Sequence, residues 1–291
     1  METETLSNQE VIDFANKHLI SIKLDIKDSI GKKLYGEYRG NGIPLLVFLN
    51  DEGEEIERVL GYKDYSDFLN ILNDVVANTN TFMSLFEKYE KGDRSSELID
   101  MLSAKSELKN DQNLSENLYQ FILSNSNSFK IEAIERAQLY FARVDLKNGN
   151  LDKINNFILS SKNLDNIKKA YNLILRHYRA VDNENMELLT HKKLISLFPD
   201  DPSILNGYGW RMSELEKELE DALEKIDRAL SILDKNESSY PHVLDTKAEI
   251  LWKMGLIDEA VIIIEEAILI DEKAEYYKNQ KTKFLNSKKE I

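Results

Sequence analysis

Val243-Leu-Asp-Thr-Lys-Ala-Glu-Ile-Leu-Trp252 is followed by Lys253-Met-Gly255 and then by Asp258-Glu-Ala260, which runs on to Ile270. Apolar residues recur at helical spacing on both sides of the glycine, so the stretch reads as helix, turn, helix. Ala248, Gly255, Ala260, Ile264 and Ala267 supply the small or apolar side chains that let two helices pack closely. The second-helix set recurs 38 residues earlier as Ala222, Ile226 and Ala229. A repeated hairpin is therefore the unit of this part of the chain.

Further back, Phe198-Pro-Asp-Asp-Pro202, then Leu205, Gly209 and Trp210, marks the junction with a preceding hairpin. Ile167 to Pro199 reads as a weaker copy. The pattern resembles the tetratricopeptide repeat, whose period is about 34 residues. The longer spacing here is placed in the connection from Asn236 to Pro241. The resemblance implies packing positions at Gly209, Ala222, Ala229, Ala248, Gly255, Ala260 and Ala267. It also implies a concave surface that binds protein or peptide partners. The alternative is a helical platform that packs on the N-terminal domain and binds nothing else. Trp210 and Trp252 are expected in the core.

Between Asn80 and Leu159 there is little strand signal. Thr81–Lys91, Glu97–Lys105, Leu114–Ser124, Phe129–Asp145 and Leu151–Leu159 carry apolar residues on one helical face, with short polar breaks between them. Short breaks between helices imply antiparallel hairpins. Repeat arrays need about three units to bury their faces, so these helices are expected to complete the solenoid.

The N-terminal stretch has a different pattern. Thr5–Lys17 reads as a helix, with Ser7-Asn8-Gln9-Glu10 in capping-box form and Ser7 as the cap. Leu19-Ile20-Ser21-Ile22-Lys23-Leu24 reads as a strand covered on both sides. Ser29–Arg39 reads as a helix that Gly40 and Gly42 break. Ile43-Pro44 leads into a strand, Leu45–Asn50. Asp51-Glu52-Gly53 turns into a second strand, Glu55–Leu60, and Tyr62–Val76 is a closing helix.

This order resembles the thioredoxin family from its first helix onward. Val11, Phe14, Lys23-Leu24-Asp25, Leu34, Tyr38, Gly42, Ile43, Pro44, Phe48, Gly53, Arg58, Gly61-Tyr62 and Phe68 carry the likeness over residues 1–76. The resemblance implies a cis peptide bond before Pro44 and a substrate- or peptide-facing loop at Ile43 and Pro44. It also implies a first strand and a Cys-x-x-Cys pair that would precede Met1. The simplest expectation is that sequence upstream supplies them. Direct pairing of the remaining strands, or a strand from another chain, are the other two.

The expected architecture is an incomplete α/β thioredoxin-like domain (1–78), a helical region (79–165) and an all-α tetratricopeptide-like array (166–291). For the parent family, the resemblance implies thiol–disulfide exchange, often in the bacterial envelope. This chain has no cysteine, so it is expected to be redox-inactive as written. The competing expectation is a non-catalytic protein–protein interaction scaffold.

Composition narrows the partners. The net charge is −14, from 38 basic and 52 acidic residues, which argues against a phosphate-binding basic face and hence against nucleic acid. No run approaches the ~18 apolar residues of a membrane span, and no leader is visible. The four histidines, His18, His177, His191 and His242, show no metal-ligand spacing. His18 is expected to pack at a helix end and His177 to lie on the surface. Acidic pairs such as Glu54-Glu55 and Glu265-Glu266 read as solvated faces. Gly40-Asn41-Gly42 lacks the following Lys and Ser or Thr of a phosphate loop. No cofactor, no metal and no catalytic residue is expected.

Overall fold

A computed structural model describes residues 1–2 and 4–287; the end of the expected 166–291 array, residues 288–291, lies outside them. The chain divides into two compact units, Met1–Ser161 and Lys162–Ile291.

The first unit opens with helix α1 (Gln9–His18). Asn8, not Ser7, is its cap: the Asn8 side chain accepts the backbone N–H groups of Glu10 and Val11. Helix α2 (Ser29–Glu37) follows, then strands β1 (Leu45–Leu49) and β2 (Glu55–Leu60) and helix α3 (Tyr65–Ala77). The strands pair antiparallel, with Leu45 opposite Leu60 and Val47 opposite Arg58. The turn between them is built by Asn50, whose side-chain oxygen accepts the N–H groups of Glu52 and Glu54, and by Gly53 at φ +83°. Val11, Val59, Phe68 and Leu72 form the core, with Phe14, Leu46 and Phe48 against it. The Ile43–Pro44 peptide bond is cis.

The sheet contains these two strands only, among the described residues. Leu19–Leu24 is not a strand, which corrects the sequence expectation, and a thioredoxin-like sheet is not formed. Ile20 is 94% and Ile22 77% exposed. The physical reason is the missing neighbour. Alternating apolar residues make a strand only where another strand accepts their backbone groups, and no described strand lies beside this segment. His18 is also exposed, with its ring 4.7 Å from that of Phe14.

Five helices complete this unit: α4 (Phe82–Glu90), α5 (Ser96–Leu108), α6 (Gln112–Ser124), α7 (Ile131–Lys147) and α8 (Asp152–Ser160). Ile99, Leu102, Leu118, Tyr119, Ile122 and Ala137 are the centre of their core. Strand β2 is tied to this layer by charge. Buried Glu57 accepts the backbone N–H of Phe82 at 3.1 Å and pairs with Lys105. Buried Arg58 holds Glu55 through two bonds of 2.6 and 2.7 Å. It also donates to the carbonyls of Tyr38 and Leu108.

The second unit is all helical among the described residues. Three hairpins follow one another: α9 (Leu164–Ala180) with α10 (Glu184–Leu197), α11 (Pro202–Leu215) with α12 (Leu219–Ile232), and α13 (Tyr240–Lys253) with α14 (Ile257–Ile270). Helix α15 (Glu275–Ser287) closes the array. Asn163, Asn183 and Asp201 cap α9, α10 and α11 through their side chains, as short polar side chains do at helix starts. The longer connection lies at 233–239, and Pro241 belongs to the first turn of α13.

Candidate partner-binding surface

The surface rests on close helix packing. Ala222, Ala229, Ala248, Ala260 and Ala267 are all fully buried. Gly209 on α11 marks the tightest approach: a Cβ there would stand 2.6 Å from the Cγ1 and Cδ1 atoms of Ile226 and 3.4 Å from Ile250. Ile226 is itself fully buried and has nowhere to retreat. Gly209→Val is therefore expected to cost about 1–3 kcal/mol by overpacking, read from urea midpoints. Gly207, on the same helix, has nothing near its Cβ position. Gly207→Ala should instead stabilise by about 0.5–1 kcal/mol through helix propensity. Equal effects at both positions would refute the packing argument. Gly255, expected among the packing residues, instead serves the turn: its φ is +80° and its Cβ position is open.

Polar groups pass through the interior of the array. Glu187 on α10 is buried. Arg211 on α11 grips both its oxygens, at 2.8 and 2.9 Å, and Arg179 on α9 donates at 3.1 Å. Burial pulls the Glu187 carboxyl upward, but the two guanidinium groups outweigh it and hold it below the ordinary value. One turn along, His191 is buried, and neither ring nitrogen has a hydrogen-bond partner among the described residues. Burial lowers its pKa to about 4, with Arg179 and Arg211 acting in the same sense and Glu187 opposing. Tyr208 donates to Glu218 and Asp221 at 2.9 and 2.6 Å. On α13, burial raises the pKa of Asp245, to which Tyr276 and Gln280 of α15 donate. Lys283 of α15 holds Glu249. The α15 helix thus covers the Asp245–Glu249 side of α13.

Helix α11 turns a different set of residues outward. Ser203, Asn206, Gly207, Trp210 and Glu214 recur every three or four residues and share one face. Leu205, Tyr208, Gly209 and Met212 occupy the opposite, buried face. Trp210 is half-buried, not core, and its Nε1 donates to Glu214 at 3.0 Å. The Asn206 Oδ1 atom is buried without a hydrogen-bond partner among the described residues. A half-buried indole flanked by exposed small and polar residues can take the side of a peptide, as aromatic anchors do. Trp252 is also half-buried, held by a bond from its Nε1 to Ser287.

In the first unit, Ile43 is 67% exposed beside Pro44. Among the described residues no cluster of three metal-ligating side chains forms, and no helix is long and apolar enough to cross a membrane.

No family model matches the chain. No curated protein matches it either. Solved structures do. The crystal structure of MamA protein has a TM-score of 0.44 at 16% identity, with 62% of this chain and 95% of that one covered. A thermophilic TPR protein from Thermus thermophilus, TTC0263, has a TM-score of 0.30 at 11% identity, covering 76% and 94%.

Proposed function

We propose that this chain is a non-catalytic scaffold whose helical array binds a protein or peptide partner. The observation that carries the reading is the outward face of α11, where half-buried Trp210 lies among exposed Ser203, Gly207 and Glu214, on hairpins that pack closely at Gly209. A rigid array presenting an aromatic anchor binds with little ordering cost.

The test is peptide selection. Peptides selected from a displayed library on the full chain should lose about tenfold or more in affinity on Trp210→Ala, as hot-spot truncations do. A library that yields no binder, or binders indifferent to Trp210, would overturn the reading.

A second contact is favoured by the exposure of Ile43 beside Pro44. The same peptides measured on Ile43→Ser decide it, and unchanged binding leaves the loop out. Residues 1–78 keep the helix–hairpin–helix order that resembles thioredoxins. A chain without cysteine supplies no thiol for exchange, so this segment is read as a structural or binding module.

A further inference from the structure

Trp210, on the outward face of α11, is connected to the interior of the array. Its Nε1 donates to one oxygen of Glu214 at 3.0 Å, and Arg211 donates to the other at 3.0 Å. The Arg211 side chain is 15% exposed and turns inward to Glu187, whose side chain is 1% exposed. Arg179 of α9 donates to the same carboxylate. His191 stands one turn further along α10, 5% exposed, with no partner for either ring nitrogen among the described residues. One line of groups therefore runs His191, Glu187, Arg211, Glu214, Trp210. Every link but the first is a hydrogen bond.

The first link is the one that a proton makes. An imidazolium donates at both nitrogens, and buried without an acceptor it is strongly disfavoured. Arg179 from α9 and Arg211 from α11 bring positive charge toward His191, and Glu187 on its own helix opposes them. The Tyr208 ring of α11 lies 5.7 Å away, with its hydroxyl given to Glu218 and Asp221. Glu187, four residues back on the same helix face, is the carboxylate within reach.

We propose that acid releases Trp210: a proton on His191 draws Glu187 away from Arg211, and Arg211 then competes with the indole for Glu214. This regulation rests on the partner-binding reading of α11 for its consequence, a partner affinity that falls in acid. The direction follows from linkage. The arrangement described refuses the proton until about pH 4, whereas an imidazole given an acceptor or water titrates near its ordinary 6.5. Lowering the pH between those values favours the rearranged state, because that state binds more protons. Arg179 is half exposed and can turn to water when its share of Glu187 is lost. The rearrangement therefore needs side chains only, and α11 to α14 keep their packing.

The experiment follows the Trp210 indole N–H signal by NMR in the isotope-labelled full chain, titrated from pH 7.5 down to pH 4.5. Trp210→Phe assigns the signal, and circular dichroism checks that each sample is folded. In the wild type the signal should move with a step whose midpoint lies between the two His191 values. That step should vanish in His191→Leu. It should vanish also in Glu214→Gln, an exposed position, where the amide still accepts from the indole but no longer pairs with Arg211. The second readout is a peptide selected on Trp210, capped at both ends and free of Asp, Glu and His. With a midpoint near 5, about a quarter of the sites stay competent at pH 4.5, so its dissociation constant should rise about fourfold from pH 7. In H191L it should stay within twofold. A Trp210 signal that titrates alike in wild type, H191L and E214Q overturns the proposal, whether or not any peptide binds. So does a peptide affinity that falls equally in wild type and H191L. A library without binders defeats the partner-binding reading instead, and the indole titration alone then decides the coupling.

Discussion

Replacing Arg58 with alanine is expected to cost the first unit about 3–5 kcal/mol, the loss typical when one partner of a buried ion pair is removed. The Arg58 and Glu55 side chains are only 2% and 6% exposed, so water screens neither. Without the guanidinium, the Glu55 carboxylate stays buried with no counter-charge. The carbonyls of Tyr38 and Leu108 lose their donor in the same step. Those carbonyls end α2 and α5, so one side chain holds three elements together at β2. Lysine should recover only part of the loss, because its ammonium cannot reproduce the two parallel bonds to one carboxylate. Native-state hydrogen exchange at the β1–β2 amides reads the opening free energy directly. A drop below about 1 kcal/mol, a value typical of exposed pairs, would mean that the pair is not the clamp described.

Acid should weaken the second unit through His191. In the unfolded chain this imidazole titrates near 6.5, while in the folded chain burial brings it to about 4. Between those values the unfolded state binds a proton that the folded state refuses. Stability is therefore full above about pH 6.5, falls as pH drops toward 4, and is flat with respect to this group below that. The separation corresponds to about 3 kcal/mol. Asp245 works the other way, since burial raises its pKa and favours the folded state on acidification. A His191→Leu variant separates the two. Both tryptophans, Trp210 and Trp252, lie in this unit, so urea unfolding followed by tryptophan fluorescence reports it alone. The wild type should lose more stability than H191L from pH 7 to pH 4.5. At pH 7 the variant should match or exceed the wild type, because it no longer buries two unpaired ring nitrogens. Parallel pH profiles would refute the assignment.

The helical hairpins are legible in the sequence because their signal is periodic and local. Ala248, Ala260 and Ala267 fit no other arrangement as economically as two helices in close approach. The strand expected at Leu19–Leu24 fails for a physical reason. Alternation records which side chains are apolar, but not whether a neighbouring strand exists to take the backbone. Glu187, His191 and Arg211 escape sequence reasoning for the converse reason. Charged residues usually mark a solvated face, and the pairing that buries Glu187 reaches across 24 residues to Arg211. The available signal is their position: Glu187, His191 and Leu194 fall at helical spacing on the side of α10 that faces the hairpin. Size alone places Trp210 and Trp252 in the core. Each indole instead sets its N–H where a polar partner waits, a habit of amphipathic aromatic side chains.

Helix α12 fixes how the array responds to stress. Leu223, Leu230 and Leu233 each pack against both apolar clusters, the one centred on α11 and α12 and the one on α13 and α14. In a chain of repeats, such shared side chains are the nearest-neighbour coupling. One hairpin of this pair cannot melt without stripping the other, so the stretch from α11 to α14 behaves as a single cooperative block. The joint with α10 depends more on Glu187 and Arg211, and a fray that starts at the α9–α10 end meets its firmest barrier at those leucines.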